Sequence, residues 1–299
     1  MIDIKNIPPF LTYLAIGDAY GAEFEFSDPQ YVKKYNTAEK YYPYPQGKYT
    51  DDTQMSLALA EMMMDGKSFT PLQIAESFVR SFHRDPRRGY SGRFYRFLLV
   101  CQSGKYFLDN INSHGKDTCG AAMRSVPLGL LQFDGYKNPK GSEMYVVCKE
   151  QASLTHNSME GISSSFAVAL MVHHFIYRED PKQTIKRFLT YHVTEFDWEN
   201  DHIGKVENKA VDLVKAVLSV LLNSNSITDI LKNSVAFTGD VDSVAAVACG
   251  IASFRPDIYE NNMPKKLIDN LENNKYGLDY LDKLSRKLTE KYLGENSNA

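Results

Sequence analysis

An all-α fold is predicted for this chain, on three observations. Residues 71–83 set Leu72, Ala75, Phe78, Val79 and Phe82 on one helical face. Residues 206–222 (Val206, Leu213, Val214, Val217, Leu218, Leu221) and 277–293 (Leu278, Leu281, Leu284, Leu288) repeat that period. No stretch between turn signals keeps the strict apolar–polar alternation of a half-buried strand.

In chain order, helices are expected over 9–20 and 52–65, the second an apolar run from Met55 behind an acidic start. Pro71 suits the first position of 71–83, because the missing N–H is unbonded there anyway. Helical periodicity then covers 90–102, 120–132, 143–153, 158–177, 182–192, 206–222 and 227–236. Helix 242–253 begins behind a second acidic group, and 277–293 closes the chain. No Gly/Ser linker, charge block or fixed-period repeat divides these segments, so 1–299 reads as one compact multi-helix domain. The long irregular stretch 27–49 holds Tyr31, Tyr35, Tyr41, Tyr42, Tyr44 and Tyr49 with two prolines. So many aromatics fit a lid or binding loop better than a disordered excursion.

Composition excludes several classes. Hydrophobic residues at 43% and charged ones at 24% exclude a disordered chain and a disulfide scaffold. A formal charge of −3, from 34 Lys and Arg against 37 Asp and Glu, excludes a generic nucleic-acid binder. Cys101, Cys119, Cys148 and Cys249 show no metal-finger spacing and read as free thiols. The start, Met1-Ile-Asp-Ile-Lys, lacks signal-peptide features, and the longest apolar stretches are too short to cross a bilayer. A cytoplasmic monomer without a membrane partner is expected.

The chemistry concentrates in two acidic clusters, each at a helix start: Thr50-Asp51-Asp52-Thr53-Gln54 and Gly239-Asp240-Val241-Asp242-Ser243. Taken singly, each reads as an N-cap complementing the helix dipole. Together they make an oxygen-only donor set that suits Mg²⁺, Mn²⁺ or Ca²⁺ rather than Zn²⁺, if the fold brings them together.

Four blocks in order make the sequence resemble the ADP-ribosylglycohydrolase family. They are Gly17-Asp18-Ala19-Tyr20-Gly21 running on to Glu25-Phe26, the Thr50-Asp51-Asp52-Thr53 helix start, Cys119-Gly120 through Met123-Arg124 to Pro127-Leu128-Gly129, and the terminal Gly239-Asp240-Val241-Asp242-Ser243. The resemblance implies an all-helical domain with two Mg²⁺ or Mn²⁺ ions, held by Thr50, Asp51, Asp52, Asp240, Asp242 and Ser243. It implies hydrolysis of the C1″ glycosidic bond of an ADP-ribosylated protein or a small ADP-ribose conjugate, releasing ADP-ribose. An ADP-ribosylated nucleic acid stays among the acceptors. Glu25 is the preferred general base, with Asp51 second. Gly115, Cys119, Gly120 and His156 are the implied substrate contacts.

Departures from the family pattern are visible. Cys119 stands where many members have Asn, Thr238 replaces the first of a usual glycine pair, and Ser243 keeps the hydroxyl of a usual Thr. The arginines of 80–96, interleaved with aromatics, read as a solvated helix face before a diphosphate grip. His173-His174 reads as packed core. The competing reading is a non-catalytic ADP-ribose-binding or crystallin-like structural protein on the same scaffold.

Overall fold

The computed structural model describes residues 3–44, 46–135, 137–177 and 181–294. Among them fourteen α-helices form and no sheet does; the only strand-like pairings are isolated bridges. The helices are α1 (Phe10–Gly21), α2 (Pro29–Tyr35), α3 (Asp51–Met64), α4 (Pro71–Arg84), α5 (Gly92–Val100), α6 (Gly104–Asn110) and α7 (Glu143–Ser153). They continue as α8 (Met159–Tyr177), α9 (Thr184–His192), α10 (Ala210–Asn223), α11 (Ile227–Ala236), α12 (Val241–Ala252), α13 (Lys265–Asp269) and α14 (Leu278–Leu293).

Every residue of α1 and of α12 is buried, and these two helices make the most extensive interface in the molecule. Their closeness rests on glycine. A Cβ on Gly17 would collide with the Ala245 carbonyl, and one on Gly21 with the Asp242 backbone. Alanine at either position would force the pair apart, and Gly21 would carry the displacement straight to Asp242. Around this pair pack α3, α8, α10, α11 and α14, of which α10, α11 and α14 bury one face. Each Leu, Ile, Val or Phe buried in this way contributes about 1.5–3 kcal/mol.

Several boundaries differ from the sequence expectation, each for a local reason. The expected helix 120–132 is two 3₁₀ turns, Cys119–Ala121 and Val126–Leu130. Pro127 removes a donor there, and Gly129 approaches Val172 too closely for a side chain. The expected helix 206–222 starts only at Ala210; Val206 instead pairs with the acidic turn, accepting from Asp240 N–H (3.0 Å) and donating to Thr238 (3.0 Å). Segment 90–102 shortens to α5, and α6 follows from the Ser103 N-cap. Within 27–49, Asp28 and Pro29 start α2. On α4 the inward face is Ile74, Ala75, Phe78, Val79 and Phe82, while Leu72 lies 47% exposed.

His173 and His174 are buried among aromatic rings, as expected of core histidines. All four cysteines are free and buried. Among the described residues no helix is long and apolar enough to cross a membrane.

Candidate active site

The two acidic helix starts meet. The starts of α3 and α12 form the floor of a cavity of about 550 Å³, a ligand-sized volume, and Asp18 of α1 lies behind them. Oxygen atoms of Asp18, Asp52 and Asp242 lie within 4.8 Å of one another, and so do those of Glu25, Asp240 and Asp242. Two acid trios therefore share Asp242.

Neither cluster serves as a simple cap. Thr50 and Asp240 are the N-cap residues of α3 and α12, yet neither side chain makes a capping bond. At α3 the acceptor comes from another helix: Asp18 receives the Thr50 and Thr53 N–H groups and both threonine hydroxyls. Asp51 N–H donates to the Arg88 carbonyl (3.0 Å), and Gly89 packs where any Cβ would strike the Asp51 carboxylate. The second cluster is shaped by its turn. Thr238 and Gly239 are left-handed (φ 63° and 88°), Gly239 packs on the Val206 carbonyl, and Phe26 N–H donates to Gly239 O (2.9 Å). That last bond ties the Glu25 segment to the acidic turn.

The electrostatics of this floor are unfavourable as they stand. Burial, then the neighbouring Asp18, pushes Asp51 and Asp52 well above the usual carboxylate range. Burial and Asp52 do the same to Asp242, and burial raises Asp18 and Asp240. Glu25, the more open member, is raised to about 7, by burial first and then by Asp240 and Asp18. Asp52 Oδ1 and Asp240 Oδ2 are buried and accept no hydrogen bond among the described residues. Orphaned carboxylate oxygens in an all-oxygen set are what a hard divalent cation requires. The residues present fit such an ion.

The walls differ in character. His156 bonds Thr118 Oγ1 (2.8 Å) and Thr155 Oγ1 (2.7 Å), and its ring seats against Gly120, where a Cβ would not fit. Burial, and next the Arg124 guanidinium, pushes its pKa down to about 3, so the imidazole is neutral. Arg124, itself buried and lowered to about 9 by burial, bonds Gln151 and Thr155. Cys119 faces Asn208, and burial raises its thiol far above its ordinary value. Arg93 and Lys116 also line the cavity and bring positive charge, Phe94 and Phe97 bring aromatic surface, and Tyr90 is buried with its hydroxyl donating to Gln54 Oε1.

Every expected site residue lines this cavity except Thr50, which sits just behind it with its hydroxyl on Asp18. The sequence reading passed over Asp18, Arg124, Asn208 and Tyr90 as site residues; Asp18 and Arg124 lay within the quoted blocks. The 27–49 segment does not take up the lid or binding-loop position expected of it. Tyr41 bonds Leu267 O, Gly47 pairs with Leu271, Asn36 bonds Lys232 O on α11, and none of its described residues lines the cavity. The arginines also divide. Arg84 pairs with Glu61, and Arg87 with Asp85 and Glu272, while Arg93 faces the cavity.

An acid-floored cavity between closely packed helices places the molecule among all-helical proteins able to hold hard cations. The particular class follows from comparison: the ADP-ribosylglycohydrolase family model matches residues 11–298, and the chain belongs to that family. ADP-ribosyl-dinitrogen reductase glycohydrolase of Rhodospirillum rubrum is 26% identical over 255 residues, 79% of this chain and 80% of that one. An ADP-ribosylarginine hydrolase of Pseudomonas putida is 24% identical over 251 residues, 80% of this chain and 67% of the relative. ADP-ribosylhydrolase ARH3 of Xenopus tropicalis is 26% identical over 155 residues, covering half of this chain and 43% of that protein. A solved structure described as an ADP-ribosylglycohydrolase-related protein complex superposes with a TM-score of 0.71 at 20% identity, covering 96% and 97% of the two chains, which shows the shared fold.

Proposed function

We propose that the chain is a hydrolase that releases ADP-ribose from an ADP-ribosylated protein side chain or a small ADP-ribose conjugate, with two Mg²⁺ or Mn²⁺ ions as cofactors. The observation that carries this reading is the pair of acid trios sharing Asp242 beneath a ligand-sized cavity. Family membership and the names of the relatives point the same way.

Thr50, Asp51, Asp52, Asp240, Asp242 and Ser243 would hold the ions, and when bound these supply Lewis-acid charge for ribose hydroxyls and for water. Glu25 takes the proton of the attacking water. Its pKa of about 7 suits a base working near neutrality, and its relative openness lets water reach it. Asp51 is the second candidate, but it is already crowded by buried negative charge. Gly115, Gly120 and the neutral His156 line the wall for polar parts of the ligand, with Cys119 beside them. Phe94 and Phe97, partly exposed and lining the cavity, offer aromatic surface for a base. Residues 1–299 work as one domain, as a monomer in the cytoplasm.

The experiment is release from a panel of arginine-linked, serine-linked, O-acetyl and nucleic-acid-linked ADP-ribose, with and without Mg²⁺ or Mn²⁺, read by mass spectrometry. Free ADP-ribose formed only with cation is the expected product. AMP as product, or ligand binding without any release, would overturn the hydrolase reading.

A further inference from the structure

Asp18 is a carboxylate inside a helix otherwise free of charge, and it is fully buried. Its Oδ2 accepts from Thr50 N–H (2.9 Å), Thr53 N–H (3.0 Å) and the Thr53 hydroxyl (2.6 Å). Its Oδ1 accepts the Thr50 hydroxyl (2.7 Å). A carboxylate offers about four lone-pair positions, and here four donors converge on one. Two of those donors are N–H groups at the start of α3, which have no partner within their own helix.

We infer that Asp18 is a positioning residue: it pins the first turn of α3 and accepts the hydrogen bond of the Thr50 hydroxyl, leaving that oxygen's lone pairs for a cation. The inference rests on the dinuclear reading proposed above. A threonine hydroxyl has one proton to give and two lone pairs, and it can act as a neutral ligand only if its proton is directed elsewhere. Asp18 provides the destination. It also fixes Thr50 and Thr53 from both backbone and side chain, so the intervening Asp51 and Asp52 leave the helix in a set direction. With three donors on Oδ2, Asp18 is better placed as an anchor than as a ligand, although it lies within 4.8 Å of Asp52 and Asp242. Outer-shell partners of this kind typically change metal affinity by about 10- to 100-fold when removed.

A simple structural role would lower stability and leave cation affinity alone. The test is calorimetric titration of the metal-stripped full chain with Mn²⁺, alongside its melting temperature. Asp18→Asn should weaken Mn²⁺ binding by about 10- to 100-fold. Thr53→Val keeps the side-chain shape, removes one donor to Asp18 and replaces a residue that does not itself line the cavity, so it should weaken binding several-fold even if Asp18→Asn fails to fold. Because Asp18 acts through the Thr50 hydroxyl, adding Asp18→Asn to Thr50→Val should cost less than it does in the wild type. Thr53→Val with wild-type affinity, or fully additive losses in the double variant, would overturn the inference. Absence of Mn²⁺ binding by the wild-type chain would instead overturn the cation reading, and this inference with it.

Discussion

Cys119 Sγ lies 3.0 Å from Asn208 Oδ1, and the Cys119 backbone N–H points at the same oxygen from 3.5 Å. A backbone N–H can only donate, so the amide oxygen faces Cys119 and the amide nitrogen turns away from it. The two loops are clipped together again next door, by Ala210 N–H on Asp117 O (2.8 Å) and by the Lys209–Asp117 ion pair. An amide thus stands at the cavity wall beside a position where the family resemblance leads one to look for asparagine. Asn208→Ala should weaken ADP-ribose binding by about three- to tenfold, the worth of one ordinary hydrogen bond. Cys119→Ser keeps a donor toward Asn208 and should change affinity by less. Titration calorimetry with ADP-ribose and Mn²⁺ measures both, and wild-type affinity in Asn208→Ala would remove the amide from any ligand contact.

Glu25→Gln should not lower the melting temperature and should lower turnover by roughly 10²–10⁴-fold, the usual contribution of a general base. The side chain is partly exposed and caps nothing, so its loss is not a folding defect. Turnover within a few-fold of wild type would pass the role to Asp51.

Much of this site was legible because its residues lie in short blocks: the α3 and α12 starts each carry their carboxylates within three residues of one another. The pairing of those blocks was not legible from spacing. It depends on α1 lying against α12 through Gly17 and Gly21, and no local pattern shows what a glycine packs against. Asp18 was passed over for the same reason, since its partners Thr50 and Thr53 lie 32 and 35 residues away. Val206 matched a helical period and yet serves as the clip for the acidic turn, tertiary pairing having overridden periodicity. The short helices α2 and α6 did leave signals, Asp28-Pro29 and Ser103, but seven residues give too few turns for a period to emerge.

Thr238 is a β-branched residue in the left-handed region, a conformation that costs about 1–2 kcal/mol for a residue with a Cβ. Glycine would relieve that cost but give back roughly 0.5–1 kcal/mol through the freer unfolded chain. Thr238→Gly should therefore leave stability unchanged or raise it by up to about 1.5 kcal/mol. Gly239→Ala should do the opposite, because a Cβ there strikes the Val206 carbonyl. Thermal melts of the two variants check the pair of signs. A clear loss in Thr238→Gly would mean that the threonine side chain holds the turn.

The raised carboxylates also make cation binding and pH visible in stability. A carboxyl whose pKa is raised in the folded state holds its proton after the unfolded chain has lost it, so its contribution falls as pH rises. For Glu25 that loss runs from 4.5 to about 7, and Asp51, Asp52 and Asp242, raised by burial and by neighbouring carboxylates, act in the same direction. His156, lowered from 6.5 to about 3, acts oppositely but only below its unfolded value. Above pH 6.5 the carboxylates therefore act alone among these groups, and the metal-free protein should melt at steadily lower temperature toward pH 8. Mg²⁺ or Mn²⁺ should remove most of that slope. At about 100 times its dissociation constant, a cation adds about 2.7 kcal/mol. At about 2.1 cal/mol/K of unfolding entropy per residue, that is a gain of about 4 °C for a chain of this length. ADP-ribose should add a further shift only when the cation is present. Asp242→Asn, which removes the carboxylate common to both trios, should abolish both shifts. Differential scanning calorimetry from pH 6.5 to 8, with chelator and with cation, reads all of this. An equal ADP-ribose shift in chelator would separate ligand binding from the acidic floor and favour a non-catalytic binding protein.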